Sequence, residues 1–251
     1  MSGAQGYISE GTLRLFAALR QLGAKLVLIS GARASTLLQR LPQLPAADAY
    51  VCESGGRIFL TDSHLPTAVP LREDLDWRQQ HCDVTGPLHQ DAVAPAKRAG
   101  KLWELYAELE GEGWKPDATS YTTAFRVKRR SGQTDADLAA LQQRAPPGVT
   151  SAGNLGALDF FPATTGKENA AEYVMQHFGV APGDSVLMCD DDNDLGLAAC
   201  VRKAYLPGIT APSVQAAVDA APERFYVSQH QGWRGTEEVL KVLVQERLAE
   251  L

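Results

Sequence analysis

Leu13, Phe16, Ala17 and Leu19 recur at the spacing of one helical face within residues 12–22, and Gly23 follows as a stop, which predicts a helix. The next apolar run, KLVLIS at 25–30, is short and rich in β-formers. It ends at Ser30-Gly31, after which Ser35 or Thr36 is placed to cap a helix running to Pro42. AYVCE and RIFL, separated by Ser54-Gly55-Gly56, predict two strands joined by a tight turn. Over 61–101 the pattern lapses into scattered Pro, His, Asp and Gln, with a weak helix near 74–81. KLWELYAELE then reads as a helix, TSYTTAFRVKR alternates as a strand does, TDADLAALQQR is a capped helix, and Pro146-Pro147-Gly148 closes the unit.

The remainder alternates regularly. Strand GALDFF precedes a helix at 167–178, strand SVLMC a helix at 193–200, and strand KAYLP the helix SVQAAVDAA; a short FYVS strand and a helix from Thr236 end the chain. Such alternation predicts the α/β class, with a doubly wound, Rossmann-like parallel sheet and helices on both faces. Residues 1–60 and 152–251 supply this core, and 61–151 form an inserted α/β cap. One piece of the pattern is lacking. A parallel sheet opens with a strand from which its first helix crosses back, yet only polar, Gly-containing residues precede Thr12.

Composition narrows the picture further. At 251 residues with 45% hydrophobic and 22% charged residues, the chain has the make-up of a folded domain or two, not of a disordered segment. Its formal charge of −6 argues against a broad nucleic-acid footprint. No apolar stretch approaches the roughly 18 residues of a membrane span. The opening MSGAQGYISEG has neither a secretory nor a transit pattern, so a cytoplasmic location is expected. Cys52, Cys82, Cys189 and Cys200 form no CxxC and read as reduced thiols.

The segment SVLMCDDDNDLGLAA carries the most chemistry. A buried-type strand delivers Asp190, Asp191, Asp192 and Asp194 to the sheet edge where open α/β folds bind ligands. Carboxylates so close repel one another, so they are either solvated or offset by a hard cation such as Mg2+. A calcium loop of the EF type fits poorly, because Leu195 stands where Gly is needed and Val201 where Glu is needed. Ser30-Gly31, also at a strand end before a helix, can hold a phosphate oxygen, although such turns are common without one. Lys167 opens its helix after Thr164-Thr165-Gly166, an unfavourable place for a cation that a bound anion would relieve. Trp103, Tyr106 and Trp114 suit packing. Arg126 and Lys128 share a strand face that either meets an anion or is solvated. No His stands beside Ser or Cys in a nucleophile motif.

Taken in order, LVLISGAR, GKENAAEYV and VLMCDDDND resemble the second, third and fourth motifs of the haloacid dehalogenase (HAD) superfamily. The likeness is greatest to its Cof-type and sucrose-phosphate-phosphatase-like branch, where a cap follows a motif like CESGGRIF and precedes one like LDFFPATTGKENA, and it covers nearly the whole chain. The resemblance implies a HAD-like fold with a cap and a Mg2+-dependent phosphomonoester hydrolase of small phosphorylated metabolites, sugar phosphates among them. It implies that Ser30, Gly31 and Asn193 hold phosphate, that Lys167 balances charge on phosphate and nucleophile, and that Asp190 ligates Mg2+ with Asp191 and Asp194 in the same site. Cys189 replaces the usual Gly of the fourth motif, and SGAR is longer than the usual Ser/Thr-Gly-Arg turn.

The family's first motif, an apolar strand followed by Asp-x-Asp-Gly-Thr, supplies its nucleophile and general acid; nothing before Thr12 matches it. Asp190-x-Asp192 and Asp135-x-Asp137 have the bare spacing, but neither is followed by Thr or Val, and Asp135 lacks a preceding apolar strand. In the family that first strand is central to the sheet, so a missing central strand and an inactive or impaired chain are expected. Three readings remain: a phosphatase with a truncated start, a non-catalytic metabolite-binding or regulatory module, and a chain whose sheet gap another chain fills.

Overall fold

The computed structural model describes residues 8–61, 71–129, 132–154 and 156–251. The expected lack of an opening strand therefore concerns, in part, residues outside those described. Helix α1 (Glu10–Gln21) starts where the Ser9 side chain accepts from the Thr12 N–H and stops before Gly23, whose φ of +84° ends the helical course. It leads to β1 (Val27–Ile29), α2 (Ala34–Arg40) and β2 (Ala49–Cys52). The expected cap at Ser35 or Thr36 is wrong: Arg33 occupies the cap position with no side-chain bond, and Ser35 and Thr36 fall inside the first turn. The preceding bend, in which Ser30 Oγ accepts from the Ala32 N–H at 3.1 Å, sets the entry of the helix at least two residues early.

Strand β2 is parallel to β1 and antiparallel to β3 (Arg57–Thr61), as the tight turn at 53–56 requires. Glu53 and Ser54 in that turn hold φ of +53°, a costly region for side-chain-bearing residues. At Gly55 a Cβ would lie 2.1 Å from the Gly166 carbonyl oxygen, so the turn is pressed onto the start of a later helix. Strand β4 (Leu71–Glu73) pairs with β3, and helix α3 (Leu75–Gln79) sends Trp77 into the core formed by Ala49, Val51, Ile58, Leu60, Ala170 and Val174. Both elements fall within the range 61–151 expected for the cap, yet both lie with the core. A polar, irregular stretch does not reveal that a single tryptophan anchors it.

The insert follows: α4 (Cys82–Thr85), α5 (Lys101–Gly111), β5 (Phe125–Lys128), α6 (Asp135–Gln142), β6 (Val149–Asn154) and β7 (Ala157–Pro162). The three strands form an antiparallel sheet in the order β5-β7-β6. On one face Phe125, Val127, Leu158 and Phe160 pack with Leu102, Trp103, Tyr106 and Leu109, and Trp114 adds to them, as aromatic packing predicts. The insert ends later than expected. Pro146-Pro147-Gly148 turns the chain into β6 instead of closing the unit, and GALDFF, assigned to the core, is the central strand of the insert. A wholly buried apolar run looks alike in either sheet.

Helix α7 (Gly166–Phe178) returns the chain to the core, followed by β8 (Val186–Met188), α8 (Leu195–Ala199), β9 (Lys203–Leu206), α9 (Pro212–Ala220), β10 (Phe225–Val227) and α10 (Gly232–Ala249). These strands are parallel, in the order β10-β9-β8. The core is thus α/β, but its parallel strands fall into two sets. Among the described residues β1 pairs only with β2, and β8 only with β9. Ile29 of β1 and Leu187 of β8 nevertheless pack on one small cluster, Ala171, Leu197 and Val201, so the two free edges share a floor. All three residues of β1 are half-buried and Val186 is exposed, whereas β2 is wholly buried. Apolar strands left half wet beside buried ones mark an opening between the sets. Helix α1 packs on α10, where Ser9 Oγ donates to Glu237 at 2.6 Å and Arg247 Nε to the Leu22 carbonyl at 3.1 Å.

Candidate active site at the strand ends

The C-terminal ends of β1 and β8 deliver Ser30 and Asp190. The Ser30 N–H donates to Val51 across the β1–β2 pair at 3.0 Å, and its Oγ accepts from Ala32, which leaves the hydroxyl proton available. The Glu53 N–H donates to the Ala32 carbonyl at 2.8 Å and ties the 53–56 turn to this bend.

Lys167, in the first turn of α7, places Nζ 2.6 Å from Asn193 Oδ1 and 2.5 Å from Asp194 Oδ1. Three residues singled out in the sequence therefore meet in one cluster. The cation at a helix N-terminus is unfavourable by itself, and in this structure the Asp194 carboxylate relieves it.

The other carboxylates are arranged differently. Asp191 Oδ1 accepts from the Asp192 N–H at 2.8 Å, and Asp192 Oδ2 accepts from Ser213 Oγ at 3.3 Å. The side chain of Thr210 bonds to the Asp190 carbonyl and brings the loop after β9 alongside. Asp190 itself is exposed. Desolvation, followed by the charges of Asp191 and Asp194, raises its carboxyl above the usual range, with Lys167 opposing. Burial, followed by the charges of Asp194 and Asp190, pushes the neighbouring Cys189 thiol up to about 12, so it is no thiolate nucleophile.

The donors are of the right kind for Mg2+, hard carboxylate oxygens. Their arrangement fits less well: among the described residues no three His, Cys, Asp or Glu side chains converge as a metal site does. Asp194 is given to Lys167 and Asp191 to the local turn, which leaves Asp190 as the candidate ligand of the three.

The insert reaches this region at several points. Strand β6 lies against the turn at Asp192–Asp194. Arg33 Nη2 pairs with Asp117 Oδ2 at 2.8 Å, its guanidinium lies 4.8 Å from the Tyr121 ring centroid, and the Tyr121 hydroxyl approaches the Gly31 carbonyl at 3.5 Å. Glu53, wholly buried, accepts through Oε2 from the N–H groups of Thr122 and Thr123 at 2.9 and 2.8 Å and from Thr123 Oγ1 at 2.8 Å. Arg126 and Lys128 do share a strand face, but Arg126 is held by Asp159 through two bonds of 2.5 and 2.6 Å, while Lys128 is exposed.

Sequence reasoning passed over Arg33, Glu53 and Tyr121. The available signal was Glu53, a charged residue directly after a wholly apolar strand.

No family model matches the chain, and no curated protein is similar to it in sequence. Solved structures are similar in fold. A sucrose-phosphatase from Synechocystis, in complex with sucrose and phosphate, aligns with a TM-score of 0.68 and 17% identity over 96% of this chain and 94% of that one. A Thermoplasma acidophilum protein aligns at 0.65 and 11% identity, over 93% and 89% of the two chains. A haloacid dehalogenase-like hydrolase protein from Bacillus subtilis aligns at 0.60 and 14% identity, over 96% and 89%. At these identities the likeness establishes the fold: the chain has the haloacid dehalogenase-like fold with an inserted α/β cap. No helix among the described residues is long and apolar enough to cross a membrane.

Proposed function

We propose that this chain binds the phosphoryl group of small phosphorylated metabolites at the ends of β1 and β8, and that as it stands it turns them over slowly or not at all. The observations that carry the reading are the cluster of Lys167, Asn193 and Asp194 and, at the end of β1, a Ser30 hydroxyl with no acceptor among the described residues. A phosphate oxygen suits that hydroxyl and the Gly31 N–H, and the Lys167 ammonium offsets its charge. Asp190 would hold Mg2+, which when bound supplies charge neutralisation at the phosphate. The phosphate held by the Synechocystis sucrose-phosphatase of like fold supports the ligand class, sugar phosphates included.

Turnover by the route the resemblance implies needs a carboxylate in line with the leaving oxygen and an acid to protonate that oxygen. No Asp-x-Asp-Gly-Thr occurs in the 251 residues, and buried Cys189 is no substitute. A non-catalytic binding or regulatory role follows for the chain given. Calorimetry with phosphate and sugar phosphates, with and without Mg2+, together with a hydrolysis assay on the same ligands, tests this. Saturable binding without release of phosphate is expected; absence of binding, or rapid turnover, overturns it.

The opening between β1 and β8 favours a second reading, in which a lone extended segment fills it. Only a strand with both edges free can pair with both sides, which excludes another copy's β1 or β8, each already paired on one edge. Stabilisation by an added parallel strand distinguishes this reading from simple ligand binding.

A further inference from the structure

We propose that His81 is a positioning residue for the turn that presents Lys167, holding Thr164 in place while its imidazole is neutral and releasing it on protonation. The inference rests on the anion site proposed above and adds a regulator to it.

His81 is 3% exposed. Its Nδ1 lies 2.8 Å from Thr164 Oγ1, and its Nε2 is buried with no hydrogen-bond partner among the described residues. The ring stands edge-on to Trp77 at 4.6 Å between centroids. Trp77 in turn donates from Nε1 to the Gly55 carbonyl at 2.9 Å, and Gly55 abuts Gly166. The segment from Thr164 to Lys167 is therefore held on one side by the 53–56 turn and on the other by His81. Within it Thr165 bonds back to the Pro162 carbonyl through both its N–H and its Oγ1, at 3.0 and 2.8 Å, and Asn169 Nδ2 donates to the Thr165 carbonyl at 2.6 Å. His81 is the link to Thr164 from outside the turn, and Lys167 stands three residues on.

The neutral ring fits this pocket. In one tautomer Nδ1–H donates to Thr164 and Nε2 keeps only an unpaired lone pair. Protonation forces an N–H onto Nε2, which has no acceptor, and places a charge in a buried site. The groups that could offset that charge are few. Asp83 favours the charged form but is outweighed by burial. The Arg78 guanidinium is committed to Glu73 and Asp91; Cys82 bonds to the Arg78 carbonyl; beyond Trp77, Tyr173 donates to Asp74. Burial lowers the His81 pKa, so the closed state binds fewer protons than an open one. As pH falls through the ordinary histidine range, release of the ring is favoured and the turn loses its outer support.

The test uses the full chain and sulfate, whose charge is constant over the range. Calorimetry from pH 5.5 to 8 is run on the wild type, His81→Asn and Thr164→Val. In parallel, hydrogen exchange is followed at the amides of 163–169, corrected for intrinsic pH dependence. Wild type is expected to bind sulfate roughly fivefold more weakly at pH 5.5 than at 7.5, the scale of one neutral hydrogen bond, with protection lost in step. His81→Asn, which retains a hydrogen-bonding side chain without titrating, should show neither trend, and Thr164→Val should be weak and open at every pH. If His81→Asn keeps the wild-type pH dependence, or if protection at 163–169 is the same in all three proteins, His81 does not position the turn. Failure of the wild type to bind sulfate counts against the anion site itself, while the exchange measurement still decides the role of His81.

Discussion

Lys167 Nζ lies 2.5 Å from Asp194 Oδ1, and each side chain is only about one-sixth exposed, at 16% and 17%. The pair joins the first turn of α7 to the loop after β8, two segments that the free edges of β1 and β8 leave without direct strand pairing. Its removal should be felt twice. Lys167→Met leaves Asp194 partly buried without its cation and should cost roughly 1–3 kcal/mol, below the loss for a fully buried pair. Urea denaturation measures that cost. The same variant should lose phosphate binding in calorimetry, whereas a variant of exposed Lys128 should not; equal binding by both would remove Lys167 from the site.

Asp190 should destabilise the fold that presents it. Its carboxyl is raised, first by desolvation and then by Asp191 and Asp194, so the native state holds this proton more tightly than the unfolded state does. Stability is therefore lost as pH rises through the window between the unfolded value and the raised native one, and stays lower above it. Asp190→Asn should melt at a higher temperature than wild type at pH 7, and the difference should vanish below the ordinary aspartate range. Millimolar Mg2+ should stabilise wild type weakly and Asp190→Asn not at all. Equal stabilisation of both would place any metal elsewhere.

Arg126 donates through Nε and Nη2 to Asp159, which is 3% exposed. Arg126→Ala should cost roughly 1–3 kcal/mol through the two charge-assisted bonds it removes. Selectivity among anionic ligands should not follow Arg126, because its charge is already answered. A selective change in ligand preference in a folded Arg126→Lys variant would restore Arg126 to ligand recognition.

Local patterns were legible in the sequence, and partnerships were not. The 3.6-residue period placed α1, α5 and α7, and apolar runs placed β1, β8 and β9, because those signals are carried by neighbours in the chain. Lys167, Asn193 and Asp194 were nameable together from their motifs, and they meet. What the sequence hides is which sheet a buried run joins. Strand β7 reads like a core strand yet pairs with β5 and β6, and β4 is too short and polar to read as a strand at all. Glu53 and His81 were missed because their importance lies in contacts roughly 70 and 83 positions away, with Thr123 and Thr164, that no local period encodes.

A strand supplied between β1 and β8 should convert the binding site into a catalytic one. The two edges are parallel to their neighbours and each is paired on one side only among the described residues. An extended apolar segment fused ahead of α1 could therefore bond to both, and its C-terminal end would emerge between Ser30 and Asp190. Helix α1 has the role of a crossover into β1, as α2 has into β2, α8 into β9 and α9 into β10. If the segment ends in Asp-x-Asp-Gly-Thr, its first aspartate can attack phosphorus and form a phosphoenzyme, and its second can protonate the leaving oxygen. Three proteins decide the matter: the chain as given, the extended chain, and the extended chain with its first added aspartate changed to asparagine. Both extended proteins should melt well above the given chain, because filling the opening pairs backbone groups on β1 and β8 and buries Val27, Ile29 and Leu187 more fully. Only the extended chain with both aspartates should release phosphate from phosphomonoesters in the presence of Mg2+. Hydrolysis by the given chain at the extended chain's rate, abolished in each by Asp190→Asn, would mean that a residue already present serves as nucleophile and that the binding-only reading is wrong.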